Sequence, residues 1–159
     1  MMKVIVDLKT NRLKTGLLSV VEDGQTVLGP YVCLGKSDNA AAAKEGNPTR
    51  NPLFRNGDMP TGEWLITRVI TTATNGLPIA SYGPHGALDL QPFSGQCVQA
   101  YKNGRSGIWI HSGNLNAAGK LRPTYGCVRL HNDDMLQLIN KLAPVLSIEK
   151  VRLIVSETA

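Results

Sequence analysis

The sequence predicts a single mainly β domain, built as a β-sandwich or a closed sheet, and three observations lead there. Short segments rich in β-branched and alternating apolar residues recur along the chain, turn formers separate them about every ten residues, and one stretch alone, NDDMLQLINKLAP (132–144), carries clear helical periodicity. With 159 residues, 42% of them hydrophobic and 18% charged, the chain is large enough to bury its own core. No Pro/Gly/Ser-rich linker divides it, so residues 1–159 are read as one domain.

The elements follow in order. KVIVDL (3–8) alternates as a strand, TNR (10–12) turns it, and LKTGLLSVVE (13–22) supplies a second strand. Asp23-Gly24 then marks a hairpin into TVLGPYVCLG (26–35). Residues 36–60, rich in Asn, Gly, Pro and Ala, read as a long loop with a helical turn at AAAAKE (40–45). Loops of that length inside a compact domain are usually functional or mobile. EWLITRVITTA (63–73) is the next strand, closed by the NGLP turn, and ALDLQ (87–91), GQCVQAYK (95–102) and GIWIHS (107–112) read as short strands. In the helix, Met135, Leu138, Ile139 and Leu142 form the apolar face, Asn132 or Asp133 serves as the cap, and Pro144 ends it. VRLIVS (151–156) closes the chain as a core strand.

Composition removes several function classes. Lys and Arg number 17 against 12 Asp and Glu, a net +5, but the basic residues are scattered and aromatics make up only 5%, which argues against a nucleic-acid surface. A modest positive field suits an acidic cell-envelope polymer. No run reaches membrane-spanning length, and MMKVIVDLKTNRLKTG lacks the apolar core and cleavage site of a secretory signal. The chain then works in the cytoplasm, has lost a leader, or is exported without a cleaved one. Three cysteines are too few for a disulfide framework. Cys33 and Cys97 either pair in an oxidising compartment or are two buried thiols. His85, His111, His131 and the cysteines show no short ligand spacing, so neither a metal nor another cofactor is expected.

The chemistry gathers in RPTYGCVRL (122–130). Gly126 beside Cys127 allows a tight turn to present the sulfur, with backbone N–H groups nearby to meet developing negative charge. Alternatively, Cys127 is a small apolar filler in a buried turn. His111 ends the apolar strand GIWIHS, and the loop that follows can carry Cys127 back beside it. An imidazole next to a thiol takes its proton and later returns it to the leaving group. The Ser112 carbonyl is the nearest acceptor to orient the ring. His131, beside the helix cap, reads as a solvated residue.

IHSG, a Gly-containing loop, TYGCVRL and the following NDD resemble the active-site signature of the YkuD family of L,D-transpeptidases, His-Gly, a loop, then Ser/Thr-His-Gly-Cys-x-Arg/Asn. GDMPTGEWLI (57–66) is similar to that family's T-P-x-G-x-F/W stretch, and VIVDLKTNRL to its opening hairpin. The resemblance implies a β-sandwich-like catalytic domain with one short helix after the active-site cysteine. It implies a cysteine acyltransferase of the periplasm or cell envelope, acting on peptidoglycan stem peptides through a thioester. Cys127 is then the nucleophile and His111 the base, with the Ser112 carbonyl orienting His111 and the amides around Gly126 and Cys127 forming the oxyanion hole. Arg129 either meets a substrate carboxylate or braces the loop through Asp133 or Asp134, and His85 either lines the substrate cleft or sits apart from it. Tyr125 stands where the family usually has His, so the work of that His is altered here. Acylation of Cys127 by carbapenem-type β-lactams is also implied. An L,D-carboxypeptidase or a secreted wall-targeting toxin would use the same chemistry, and a wall-binding module would need neither Cys127 nor His111.

Overall fold

The computed structural model describes residues 1–159, the side chains of Ala73 and Thr74 excepted. The first three strands are β1 (Met2–Lys9), β2 (Gly16–Glu22) and β3 (Gln25–Leu34). Asp23 (φ 52°) and Gly24 (φ 81°) both take left-handed conformations, which closes β2 onto β3 as a two-residue hairpin. Helix α1 (Asn39–Lys44) occupies the expected helical turn, and the Asp38 carboxylate caps it by accepting from Ala41 N–H at 2.9 Å. Next come β4 (Gly62–Ile70), the short helices α2 (Thr72–Asn75) and α3 (Ile79–Tyr82), β5 (Ala87–Ser94) and helix α4 (Gln96–Lys102). β6 (Trp109–His111), β7 (Val128–Leu130), α5 (Asn132–Leu146) and β8 (Val151–Thr158) complete the chain.

The strands form one closed sheet in the order β1-β2-β3-β7-β6-β5-β4-β8, with β8 returning parallel to β1. The expectation of a mainly β domain stands, but the sheet is a single closed ring rather than two packed layers. Closure suits a chain of many short strands, since it removes unpaired edges. Alternate residues point inward: Val4, Val6, Leu18, Val20, Ile66 and Leu153 are fully buried. α5 packs on β4 and β8 through Met135, Leu138, Ile139 and Leu142, as its periodicity predicts.

Four local expectations are corrected. GQCVQAYK is helix α4 rather than a strand: Gly95 at φ 91° breaks the chain away from β5, and Cys97 and Ala100, three apart, are its buried residues. Among the described residues the helices therefore number five, and the one after Cys127 is fifteen residues long. His131 rather than Asn132 or Asp133 is the N-cap of that helix, without a side-chain cap bond, and the Asn132 side chain instead accepts from Gly113 N–H. Pro144 lies inside the last turn instead of ending the helix, which runs on to Leu146; the ring's fixed φ is compatible with helix, at the cost of its own N–H bond and of crowding against the Asn140 carbonyl.

Cys33, Cys97 and Cys127 are all free and buried, so Cys33 and Cys97 are two separate thiols. Among the described residues, no helix is long and apolar enough to cross a membrane.

Candidate active site

β6 and β7 run side by side in parallel, with Ile110 opposite Val128 and His111 opposite Arg129. Strand alternation then sorts their residues between two faces. Ile110, Val128 and Leu130 point into the core and are fully buried. Trp109, His111, Cys127 and Arg129 share the other face and line one cleft of about 780 Å³. The turn before β7 is fixed from both sides: Thr124 Oγ1 donates to Cys127 O at 3.1 Å and accepts from Gly126 N–H at 2.9 Å.

The long loop supplies the opposite wall. Ser37 bridges Thr124 in parallel, Asp38 N–H donates to Thr124 O at 2.8 Å, and Thr124 N–H donates to Lys36 O at 3.2 Å. Arg105, buried beside Gly126, holds that loop by donating to the carbonyls of Pro52 (2.6 Å), Asp58 (2.9 Å) and Gly57 (3.0 Å). Gly126, at φ +114°, has to be glycine, because a Cβ would run into Arg105 Nη2 and lie 2.5 Å from Gly57 O.

Cys127 Sγ accepts from Trp109 N–H at 3.3 Å. Burial pushes the thiol up to about 11, against the pull of the Trp109 N–H, Arg105 and Arg129. His111 Nδ1 lies 2.7 Å from Ser112 O. A carbonyl only accepts, so Nδ1 carries the proton and Nε2 is left as the basic nitrogen. Burial lowers His111 to about 4, with the Ser112 bond opposing and the Arg129 charge reinforcing the shift. Burial therefore favours the neutral form of both thiol and imidazole. The Tyr82 ring packs on His111 at 4.8 Å and on Trp109 at 5.5 Å. Asn132 Oδ1 accepts from Gly113 N–H at 3.2 Å and so holds the His111 loop to the start of α5.

The structure thus brings Cys127, His111, Tyr125 and Arg129 together in the cleft, with Ser112 fully buried behind the imidazole. Tyr125 is 67% exposed, so its hydroxyl stands at the rim. Arg129 makes no bridge to Asp133 or Asp134; its guanidinium turns away from α5 and donates to Ser81 O at 2.8 Å. His85 is half-buried and lies outside the cleft lining, since the turn after α3 carries it toward β5. Sequence reading missed Arg105, Tyr82, Arg122 and Asn132. For Arg105 the available signal is NGRSG, a lone arginine between Gly104 (φ 95°) and Gly107 (φ 68°).

The family model for the L,D-transpeptidase catalytic domain, YkuD, matches residues 2–151, and the chain belongs to that family of peptidoglycan-modifying enzymes. No curated protein matches the sequence. Among solved structures, the helical cell shape determining protein Pgp2 from Campylobacter jejuni shares 20% identity at a TM-score of 0.49, over 99% of this chain and 49% of that one. L,D-transpeptidase 1 of Mycobacterium tuberculosis shares 16% at 0.48, over 99% and 63%, and an L,D-transpeptidase of Xylanimonas cellulosilytica shares 14% at 0.44, over 97% and 60%. The chain spans about half to two thirds of the length of these proteins, and its family membership rests on the family model.

Proposed function

We propose that this chain is a cysteine-dependent L,D-transpeptidase that works in the cell envelope on peptidoglycan stem tetrapeptides. One observation carries the reading: Cys127 and His111 share a face of two adjacent parallel strands in one cleft, with Nδ1 tethered to Ser112 so that Nε2 is the free base.

Because both groups rest neutral, the proton moves as the sulfur attacks. Sγ bonds to the carbonyl carbon of the diamino acid's L-centre while Nε2 takes the thiol proton. The oxyanion is met by the Cys127 N–H, since that of Gly126 is held by Thr124 Oγ1. Collapse breaks the C–N bond, Nε2 returns the proton to the leaving D-alanine amine, and a thioester on Cys127 remains. An acceptor amine then attacks that thioester, giving its proton to Nε2 and restoring the thiol. Tyr125, in place of the family's His, offers a hydroxyl donor but no proton shuttle at neutral pH.

The test is to incubate the protein and Cys127→Ala with disaccharide tetrapeptides and read the products by mass spectrometry. Cross-linked dimers or exchange of the terminal D-residue, lost in the variant, support the proposal. Tripeptide alone reassigns the protein as an L,D-carboxypeptidase, and identical products from both proteins remove Cys127 from the chemistry.

A further inference from the structure

One buried charge takes no part in the proton transfers between Cys127 and His111. Arg105 is 5% exposed, lies between α4 and β6, and lines the cleft that holds Cys127. Its guanidinium bonds run to backbone carbonyls alone: Nη1 uses both N–H groups, on Pro52 O and Asp58 O, and Nη2 uses one, on Gly57 O. Among the described residues it forms no ion pair. Asp58, whose charge Arg105 feels, is committed elsewhere, since its Oδ1 accepts from Ser37 N–H at 2.8 Å and from Arg50 Nε at 3.1 Å.

Holding carbonyls takes donors; it does not take a charge. A buried guanidinium without a counter-ion is expensive to keep. Burial lowers Arg105 to about 10, still far above neutral pH, so the charge persists. The fold also makes room for it at one point. A Cβ on Gly126 would run into Nη2, and Gly126 immediately precedes Cys127, so the guanidinium packs against the backbone that carries the sulfur.

Other groups face Cys127 across the cleft. Arg129 lies on β7, Arg122 and Tyr125 on the turn before it, His111 on β6 and Tyr82 on α3; Arg55 and Asp38, the latter the sole carboxylate of the lining, belong to the long loop. Arg55 is exposed and Arg122 half-buried, so water screens both. Arg129 favours the thiolate as well, but less than Arg105 does.

We propose that Arg105 is a positioning residue of electrostatic kind, a fixed positive charge against the Gly126–Cys127 backbone that stabilises the negative charge gathering on Sγ as its proton leaves. This rests on the reading of Cys127 as the nucleophile, and it needs no contact between Arg105 and the substrate. It also gives position 126 its reason for being glycine: the missing side chain admits a charge beside the nucleophile.

Alkylation by iodoacetamide between pH 7 and pH 9, with Cys127, Cys33 and Cys97 quantified separately by mass spectrometry, tests this without turnover. Only the thiolate reacts well, so loss of a stabilising charge slows Cys127 at every pH in that range. Arg105→Gln keeps amide donors and removes the charge. Cys127 should then react about three- to tenfold more slowly, the effect of about one unit of thiol pKa partly offset by higher nucleophilicity, while Cys33 and Cys97 keep their rates. Arg105→Lys returns the charge and should bring Cys127 back to the parent rate. An unchanged Cys127 rate in Arg105→Gln, or a slowed rate that Arg105→Lys does not restore, overturns the assignment and leaves Arg105 a brace for the long loop. A loosened fold has the opposite signature, since it speeds all three buried thiols together. Where Arg105→Gln does this, Arg105→Lys decides: a parent-like rate at Cys127 supports the charge, and a slowed rate, or release of all three thiols again, overturns it. Absence of products in the turnover assay with the Cys127 shift intact would sink the acyl-transfer reading alone; products without that shift would sink the Arg105 assignment alone.

Discussion

Gly126→Ala is expected to destabilise the fold itself, whether or not a substrate is bound. The methyl group would collide with Arg105 Nη2 and sit 2.5 Å from Gly57 O, so the guanidinium or the carbonyl must move. That breaks at least the Nη2 to Gly57 bond, now 3.0 Å, a charge-assisted hydrogen bond worth about 1.5–3 kcal/mol. A side chain at φ +114° adds backbone strain of about 1–3 kcal/mol. The combined loss is roughly 2.5–6 kcal/mol of unfolding free energy, measurable by urea denaturation followed by circular dichroism. Arg105→Ala provides the control. With the guanidinium gone, adding Gly126→Ala should cost at least about 1 kcal/mol less than it does alone. A Gly126→Ala protein within about 1 kcal/mol of the parent, or strict additivity with Arg105→Ala, would refute the claim that this glycine exists to admit that arginine.

Further expectations concern the site itself. His111 is lowered to about 4 by burial, so the unfolded chain binds its proton first as pH falls; the His111 contribution is complete above about pH 6.5 and is lost on the way down through pH 4. It amounts to about 3 kcal/mol at most, and acid denaturation of the parent against His111→Gln measures it as the difference between the two pH profiles. Cys127, held up near 11, should react slowly with iodoacetamide at pH 7 and about tenfold faster per pH unit up to pH 9, ahead of Cys33, which burial raises to about 12. Fast, pH-independent alkylation of Cys127 would instead reveal a thiolate–imidazolium pair. Tyr125→Phe is expected to slow turnover about fivefold, the worth of one hydrogen bond, and an unchanged rate makes that hydroxyl idle. Asn132→Ala frees Gly113 N–H and should lower kcat while leaving Cys127 alkylation intact; an unaltered kcat would deny Asn132 a role in holding the His111 loop.

What the sequence made legible was whatever depends on local pattern. The Asp23-Gly24 hairpin, the alternation of β1 and β2 and the apolar face of α5 were readable because each is fixed by residues a few positions apart. α4 misled because Val98 and Tyr101 favour strands in isolation, while burial of Cys97 and Ala100 against the sheet decides for helix. β7 is three residues long and pairs with β3 and β6, partners distant in sequence, so nothing local announces it. The same limit applies to the site. That Cys127 and His111 line one cleft was legible through the motif. Arg105 and Arg122 were not, because what makes them matter is a set of carbonyls more than forty residues away in the chain.

The two faces of β6 and β7 bind folding and chemistry to a single choice of register. A slip of one residue between these strands would drag Cys127 and Arg129 into the hydrophobic interior and expose Val128 and Leu130 to water. Misaligned copies would thus be unstable as well as without the cleft, so the core acts as a proofreader of the cleft's geometry. A well-packed interior at Ile110, Val128 and Leu130 thus fixes which face carries His111, Cys127 and Arg129.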